Sequence, residues 1–405
     1  MESSNKKNKL YTYLSKMGIS KNVLALGLVS FFNDVASEMI YPIVPIFLTS
    51  ILGAPVAVVG LIEGIAESTA SILKAVSGWL SDKSQKRKPF AIAGYSLSSI
   101  SKVLLSLAFS WPLVLLARFV DRFGKGIRTS ARDALITESS DPSARGRAFG
   151  FHRSLDTQGA VVGPLLALLA IRLSNNNFRL IFFLAFIPAF IGILLLIFLV
   201  KEKKKETTAT SAHFHFDWAN LDPSFKIFLG ISLVFSLGNS SDAFLILRAQ
   251  NLGLSLSLVV LVYVLFNITY SLFSIPTGII SDKIGPKKVL LFGFLLFSLV
   301  YLFFGLIHSN LYLWFLFPVY GIYMALTEGI GKAYISNLVP QEKTGTAFGI
   351  YQTTIGFSTF FSSFIGGLLW DNLGVSAPFI YGSIMAFIAA LLFVVLEKKI
   401  KLVKS

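Results

Sequence analysis

The sequence predicts an all-α, polytopic membrane protein whose twelve spanning helices form two related six-helix bundles. Two observations lead to this prediction. Hydrophobic residues make up 54% of the 405 residues and charged residues only 14%, whereas soluble globular proteins carry roughly 25% charged residues. Long apolar stretches also follow one another along the whole chain, and in a medium without water only a helix or a closed barrel satisfies every backbone polar group.

A spanning helix needs about 20 predominantly apolar residues, and twelve stretches of the chain meet this requirement. The apolar stretch that follows the polar N-terminal residues is too long for a signal-peptide core, so it is interpreted as the first permanent span. The twelve predicted spans are residues 23–51, 55–80, 89–109, 112–136, 147–171, 178–200, 225–249, 254–280, 289–307, 311–337, 346–369 and 377–396.

The net charge of +15 comes from short clusters of lysine and arginine that lie between the apolar stretches. Such clusters follow the second span at Lys83–Lys88 and the sixth span at Lys201–Lys205, and they precede the first span. Clusters of this kind are typical of cytoplasmic loops that face anionic lipid, and they do not indicate a nucleic-acid partner. We therefore expect an inner-membrane protein with both termini in the cytoplasm.

The only long polar stretch inside the chain divides the spans six and six. The predicted segments are a cytoplasmic N-terminal segment (1–22), an N-terminal bundle (23–200), a linker (201–223), a C-terminal bundle (224–397) and a cytoplasmic tail (398–405). Three short matches in the same order relate the two bundles. GWLSDKSQKRK from Gly78 matches GIISDKIGPKK from Gly278, DRFGK matches EGIGK, and AFG occurs in both halves. These matches indicate a duplicated six-helix unit.

The loop after the second span, Gly78-x-Leu80-Ser81-Asp82-Lys83, resembles motif A of the major facilitator superfamily of secondary transporters. An ordinary positive-inside loop explains the lysines, but it does not explain Gly78, Asp82 and the second copy of the pattern. The resemblance covers residues 23–397 and implies a transporter that binds a small molecule and works as a monomer without a cofactor. It also implies a cytoplasmic latch formed by Gly78, Asp82, Lys83, Arg87, Gly278, Asp282 and Lys283.

The fifth span carries a pattern of small residues that is similar to motif C of proton-driven exporters. Its members are Gly150, Gly159, Gly163 and Pro164, while Ala167 stands where the last glycine of the motif is usual. Small residues let two helices pack closely and a Gly-Pro step bends a span, so these four residues are expected to form a helix hinge. The alternative is small-residue packing without any link to export.

Ionisable residues inside spans are costly and usually face the interior of a bundle, where they serve function. Asp34 and Glu38 share one helix face, as do Glu63 and Glu67, and two close carboxylates favour uptake of a proton. Structural ion pairs are the alternative interpretation. The candidate residues for proton coupling or substrate binding are Asp34, Glu38, Glu63, Glu67, Arg118, Asp121, Arg122, His152, Asp156, Asn239 and Glu328.

The family's motif B has an arginine followed by a Gln-Gly step, and neither Arg118 nor Arg122 fits it completely. We expect one of the two to be the proton-linked arginine. Arg128 and Arg132, nearer the cytoplasmic end of the same span, are expected to extend towards the membrane surface or to join the latch. Glu328 and Lys332 are expected to pair.

These features predict a proton-coupled carrier that works by alternating access and exports a small solute by antiport. The alternative within transport is an importer of a small polar or cationic solute, since four acids in the first two spans suit a cation. Outside transport, the competing interpretations are a membrane-embedded enzyme and a non-transporting receptor. No metal site is expected, because the chain has no cysteine and its histidines at 213, 215 and 308 fall in predicted loops.

Overall fold

The computed structural model describes residues 19–84, 86–141, 144–202, 222–340 and 344–396, except for the side chains of residues 75–76, 78–80, 82–84 and 345. The regular secondary structure in these ranges is helical. The helices are α1 Lys21–Ile40, α2 Val56–Ser84, α3 Lys88–Ser106, α4 Trp111–Glu138, α5 Arg145–Leu173, α6 Phe178–Leu199, α7 Pro223–Gly238 with Ala243–Asn251, α8 Leu256–Ile284, α9 Pro286–Leu306, α10 Leu313–Ser336, α11 Thr344–Leu373 and α12 Ala377–Val395.

Two of the spans are interrupted. After α1 the chain turns and continues as Val44–Ile46 and a π-helical turn, Phe47–Ile51. The interruption coincides with two prolines, Pro42 and Pro45, which lack the N–H that an uninterrupted helix requires. In α7 the helix stops at Gly238 and resumes at Ala243. The intervening residues, Asn239 to Asp242, have side chains that compete with the backbone for hydrogen bonds.

The twelve helices correspond one to one with the twelve predicted spans, and the fold prediction is confirmed. Within the residues that the structure describes, nine helical segments are long and apolar enough to cross a membrane. Among the other three, α4 carries five charged residues between Arg118 and Arg128. These charged side chains lower the apolarity of α4 without shortening it.

By their internal contacts the described residues form two compact units. Unit 1 contains residues 19–40, 73–108 and 120–202, and unit 2 contains residues 41–72, 109–119 and 222–396. In unit 1, α1 packs on α5 and α6, and α3 packs on α6. In unit 2, α8 packs on α10, and α9 packs on α10 and α12. The division into bundles at 23–200 and 224–397 stays a prediction, and the predicted segments 1–22, 201–223 and 398–405 lie largely outside the described residues.

Candidate functional site

Small residues bring α5 against α1 in unit 1. A Cβ atom added at Gly159 would lie 2.6 Å from the Phe31 carbonyl oxygen, and one added at Gly163 would lie 2.6 Å from the Val35 carbonyl oxygen. Pro164 follows inside the helix and is buried. Gly150, in contrast, has no atom within 4 Å of such a Cβ. Three of the four predicted hinge residues therefore lie at or beside this helix contact, and Gly150 lies away from it.

The close approach of α1 and α5 brings two predicted carboxyl groups together. The Cβ of Asp34 would lie 3.0 Å from a Cβ added at Gly159, and Asp34 lies close enough to Asp156, one turn earlier on α5, for their carboxyl groups to interact. Arg153 Nη1 lies 3.0 Å from Asp156 Oδ2. Glu38 lies one turn further along α1, where its Cβ would be 3.0 Å from a Cβ added at Gly163.

A polar cluster surrounds Ser30 on the same helix. Ser30 Oγ lies 2.7 Å from Nε2 of the buried His152 and 3.3 Å from the Tyr95 hydroxyl. Arg132 donates to Ser30 Oγ at 3.4 Å and to Asp133 Oδ1 at 2.9 Å. His152 is thus part of a hydrogen-bonded group that joins α1, α3, α4 and α5.

Arg128 lies inside unit 1 and is only 5% exposed, so the expectation that its side chain extends to the membrane surface is wrong. Its Nη1 donates to Asn33 Oδ1 at 2.8 Å and to Ser98 Oγ at 2.9 Å. Its guanidinium group also lies over the Tyr95 ring, 4.6 Å from the centroid. These partners compensate the loss of hydration of the guanidinium group, which explains why it is stable away from the surface.

A lysine that the sequence analysis did not single out forms a buried ion pair with Asp121. Lys102 Nζ lies 2.6 Å from Asp121 Oδ1, and the side chains are 0% and 7% exposed. Arg122 Nε lies 3.9 Å from the other oxygen of Asp121. A lone lysine inside the third predicted span was the available sequence signal, because an unpaired ammonium group is costly at that depth.

In unit 2, Glu63 and Arg118 form a bidentate ion pair. Arg118 Nε and Nη2 donate to the two carboxylate oxygens of Glu63 at 2.9 and 2.7 Å. Both side chains are 2% exposed. The guanidinium group also lies 5.7 Å from the centroid of the Tyr41 ring. The structure therefore joins two of the predicted site residues in the geometry that binds a carboxylate most strongly.

The interruption in α7 places two polar side chains against tyrosines of α10. Asn239 donates from Nδ2 to the Tyr323 hydroxyl at 3.1 Å, and the Tyr320 hydroxyl donates to Asp242 Oδ1 at 2.6 Å. Interrupted helices of this kind supply polar groups at membrane depth. Asn239 was a predicted site residue, whereas the tyrosines could not be distinguished from other aromatic residues of the spans.

Unit 2 also contains a cavity of about 300 Å³ beside this interruption. Its charged lining residues are Glu67 of α2 and Glu328 and Lys332 of α10, and with Asn239 three predicted site residues line the same space. Tyr270 donates a hydrogen bond to the Glu328 carboxylate. The other lining residues that bear on its chemistry are aromatic or polar: Phe228, Ser232, Phe235, Asn239, Phe294, Tyr323, Tyr351 and Gln352.

The predicted latch is described only in part. The side chains of Asp82 and Lys83 and the surroundings of Gly78 lie outside the part of the chain that the structure describes. Arg87 is buried and donates from Nη1 to Ser81 Oγ at 2.7 Å, and its Nε lies 3.5 Å from Glu138 Oε1. In the second copy, Asp282 and Lys283 are exposed and Gly278 is partly buried. The latch role stays a prediction.

A contact that sequence analysis missed joins the start of α2 to the end of α11 within unit 2. Asp371 accepts hydrogen bonds from the backbone N–H of Val56 at 3.1 Å and of Ala57 at 2.7 Å. One turn earlier, a Cβ added at Gly367 would lie 2.6 Å from the Cα of Ala57. The carboxylate of one helix therefore caps the N-terminus of another, where unsatisfied N–H groups favour an anion.

The family model of the major facilitator superfamily matches residues 26–247 and 227–404. The chain belongs to the major facilitator superfamily. It is 40% identical over 92% of its length to "Uncharacterized MFS-type transporter MJ1317" of Methanocaldococcus jannaschii, of which it covers 94%. It is 23% identical to "Quinolone resistance protein NorA" of Staphylococcus aureus, with 94% of this chain and 97% of that protein covered.

Solved structures of other transporters share the fold. A POT family transporter in complex with a thioalcohol-conjugated peptide has a TM-score of 0.79 at 14% identity, with 95% of this chain and 99% of that chain covered. A D-xylose-proton symporter has a TM-score of 0.72 at 18% identity, with 92% and 96% covered. At these identities the likeness establishes the fold alone. The protein is therefore a multi-pass membrane transporter of the superfamily, and it shares its fold with a transporter bound to a peptide conjugate and with a D-xylose-proton symporter.

Proposed function

We propose that the protein is a proton-coupled secondary transporter that exports a small solute by antiport and works by alternating access. The observation that carries this proposal is the contact between the Asp34 and Asp156 carboxyl groups. Two carboxyl groups this close can share one proton, because a protonated carboxyl group donates the hydrogen bond that an ionised carboxylate accepts. Close carboxylates also repel each other when both are charged. The pair is thus a site at which one proton is taken up or released.

The neighbours of this pair suit a group that changes its charge. Arg153 contacts Asp156 directly, and Arg132 and His152 meet at Ser30, one turn from Asp34 on α1. Loss of the shared proton adds one negative charge, which the guanidinium groups of Arg153 and Arg132 stabilise. Glu63 is a poorer candidate for the proton, because both of its carboxylate oxygens already accept hydrogen bonds from Arg118.

The outward direction is supported by two likenesses. The small-residue pattern of α5 resembles the motif of proton-driven exporters, and a relative at 23% identity is named for quinolone resistance. We further propose an inner-membrane location with both termini in the cytoplasm, a monomer, no enzymatic activity, and the two bundles at residues 23–200 and 224–397. The lysine clusters of the predicted loops support the orientation.

Proton movement driven by a solute gradient tests the coupling and its direction. Proteoliposomes containing the dye pyranine receive external solutes from a panel of organic cations, sugars, nucleosides and dipeptides. Antiport predicts that a solute entering the vesicles drives protons out, so that the lumen becomes more alkaline. Symport makes the lumen more acidic and would favour the importer, an alternative supported by the symporter among the structural neighbours.

The variants Asp34→Asn and Asp156→Asn are expected to abolish this pH change. Asp222→Asn is the matched control, because it removes one carboxylate from the start of α7 and asparagine caps a helix equally well. A panel in which no solute changes the lumenal pH of wild-type vesicles would overturn proton coupling. Coupling that persists in both variants would overturn the role of the pair.

A further inference from the structure

We propose that the interruption of α7, in unit 2, binds a monovalent metal cation and that this ion is Na⁺. The inference goes beyond the proposed function, because the interruption lies in a different unit from the Asp34–Asp156 pair and the site makes no use of a proton. Three features of the interruption carry it: backbone carbonyl groups, two buried hydroxyl groups and one carboxylate.

The first segment of α7 ends with carbonyl groups that lose their usual partners. In a continuous helix, Ser240 and Ser241 would donate their N–H groups to the carbonyl oxygens four residues earlier. Here Ser240 donates to the carbonyl oxygen two residues earlier, at 3.2 Å, and Ser241 donates to Ser363 Oγ, at 3.1 Å. The carbonyl oxygens of Ser236 and Leu237 therefore lack these two N–H groups. Such oxygens carry the negative end of the helix dipole, and in interrupted helices of transporters they coordinate cations.

Two hydroxyl groups at the interruption are buried without a hydrogen-bond partner in good geometry. They belong to Ser240, which is 7% exposed, and to Tyr301 of α9, which is 0% exposed. The Tyr301 hydroxyl lies near those of Ser240 and of Tyr320 on α10. A buried hydroxyl group without a partner is unfavourable, whereas coordination of a cation would occupy the lone pairs of its oxygen.

Asp242 supplies the carboxylate. It precedes the second segment of α7, where an aspartate usually caps the helix, but its side chain makes no cap hydrogen bond. Ser241 Oγ accepts from the Ala243 N–H group at 3.3 Å, and the Asp242 carboxylate instead accepts from the Tyr320 hydroxyl at 2.6 Å. Because this hydroxyl group donates to Asp242, its oxygen presents only lone pairs to the other groups of the cluster.

The kinds of ligand atom specify the class of ion. Carbonyl, hydroxyl and carboxylate oxygens suit hard cations, and carbonyl oxygens can replace the hydration shell of a monovalent ion. Ca²⁺ requires six to eight oxygens that commonly include several carboxylates, whereas the interruption contributes the single carboxylate of Asp242. The surrounding rings are closely packed, since the Tyr320 centroid lies 6.1 Å from that of Tyr301 and 5.1 Å from that of Tyr323. Close packing favours Na⁺ over the larger K⁺.

A comparison of salts tests the proposal on the wild-type protein. The full-length protein in nanodiscs is unfolded by heat in NaCl, KCl or choline chloride at equal ionic strength, and ²²Na⁺ binding is measured by scintillation proximity. A ligand that binds only the folded state stabilises it, so Tm is expected to rise saturably with Na⁺, less with K⁺ and not with choline. Equal Tm values in the three salts, together with no saturable ²²Na⁺ binding, would overturn the proposal. In that case a water molecule, and not an ion, would fill the site.

Variants then locate the ion. Ser240→Ala and Tyr301→Phe each remove a hydroxyl group without a partner, so in choline chloride they are expected to be at least as stable as the wild type. In NaCl, each is expected to weaken Na⁺ binding by about tenfold, and Asp242→Asn by about a hundredfold. Ser232→Ala is the matched control, because it removes another buried hydroxyl group without a partner in good geometry, two turns before the interruption. This control is expected to leave Na⁺ binding unchanged.

Full Na⁺ affinity in Ser240→Ala and Asp242→Asn would show that the ion binds elsewhere and would refute the assignment. Variants that lose as much stability in choline chloride as in NaCl would assign these groups a structural role only. The salt comparison uses the wild-type protein, so it decides even if a variant does not fold. Because it requires neither a solute nor a gradient, its failure leaves proton coupling untouched, and failure of the flux experiment leaves the cation site intact.

Discussion

Unit 1 and unit 2 bury polar groups in different ways. In unit 1 the charged side chains share partners: Asp121 meets both Lys102 and Arg122, and Ser30 contacts both His152 and Arg132. In unit 2 the Glu63–Arg118 pair is bidentate, and the cavity is surrounded mainly by aromatic rings and hydroxyl groups. Shared partners allow one charge to change while the others compensate. A bidentate pair instead fixes its two members.

Breaking the bidentate pair should cost the most stability. Arg118→Met leaves the Glu63 carboxylate buried without its partner, and we expect a loss of about 3–5 kcal/mol in the free energy of unfolding. Unfolding in mixed detergent micelles measures this loss. The double variant Arg118→Met/Glu63→Gln removes the charge as well and is expected to recover most of the stability. An Arg118→Met variant as stable as the wild type would contradict the interpretation that Arg118 stabilises the buried Glu63 carboxylate.

A matched substitution in unit 1 tests whether shared partners limit the loss of stability. Lys102→Met removes the closest partner of Asp121, but Arg122 lies 3.9 Å from the same carboxylate and Ser101 donates to it at 3.3 Å. We therefore expect a smaller loss, about 1.5–3 kcal/mol, which corresponds to one hydrogen bond to a charged group. Lys283→Met, at an exposed position, is the control. If Lys102→Met lowers the free energy of unfolding as much as Arg118→Met does, then the other partners of Asp121 do not compensate for the loss of Lys102.

The fold was predictable because it depends on the length and order of the apolar stretches. Each of the twelve was visible from composition alone, although the interruption of α7 was not. The candidate site was predictable by residue type, since buried acids and arginines are rare in spans. Which acid pairs with which arginine was not predictable. Whether Glu63 meets Arg118 or Arg122 depends on the rotation of α2 and α4, which follows from packing over the whole helix.

Two parts of the site left too weak a signal in the sequence. The aromatic lining of the cavity could not be recognised among 38 phenylalanines, because a ring that faces lipid and a ring that faces a cavity occur in the same apolar stretch. The contact of Asp371 with Val56 joins residues far apart in sequence, and an aspartate at the end of a span is ordinary. Lys102, in contrast, was visible as a lone cation in an apolar stretch.

The close packing of unit 1 predicts a difference between two glycines of one helix. A methyl group at Gly159 would lie 2.6 Å from the Phe31 carbonyl oxygen, so Gly159→Ala must separate α5 from α1. We expect a loss of about 1–3 kcal/mol in the free energy of unfolding, as for other overpacked cores. Gly150→Ala meets no atom within 4 Å and is expected to stabilise the helix by about 0.5–1 kcal/mol. Equal effects of the two substitutions would refute the contact.

The smallest expected effect concerns the carboxylate cap in unit 2. Asp371 is exposed, and its two oxygens accept from two N–H groups at the start of α2. Asp371→Ala removes both acceptors and is expected to cost about 1 kcal/mol, as for other helix caps. Asp371→Asn keeps one acceptor and is expected to cost less. The neighbouring Asn372→Ala is the control, because its amide donates to the Leu368 carbonyl oxygen of its own helix.

The two substitutions at Asp371 separate hydrogen bonding from charge. If Asp371→Asn costs as much as Asp371→Ala, the negative charge at the helix N-terminus carries the stabilisation, and 1 M salt should reduce it because the site is exposed to solvent. If Asp371→Asn is close to the wild type, the hydrogen bonds carry it and salt has little effect. No loss in either variant would mean that the glycine contact between α11 and α2 holds these helix ends together unaided. Unit 2 would then depend on backbone packing at this point, as unit 1 does where α5 meets α1.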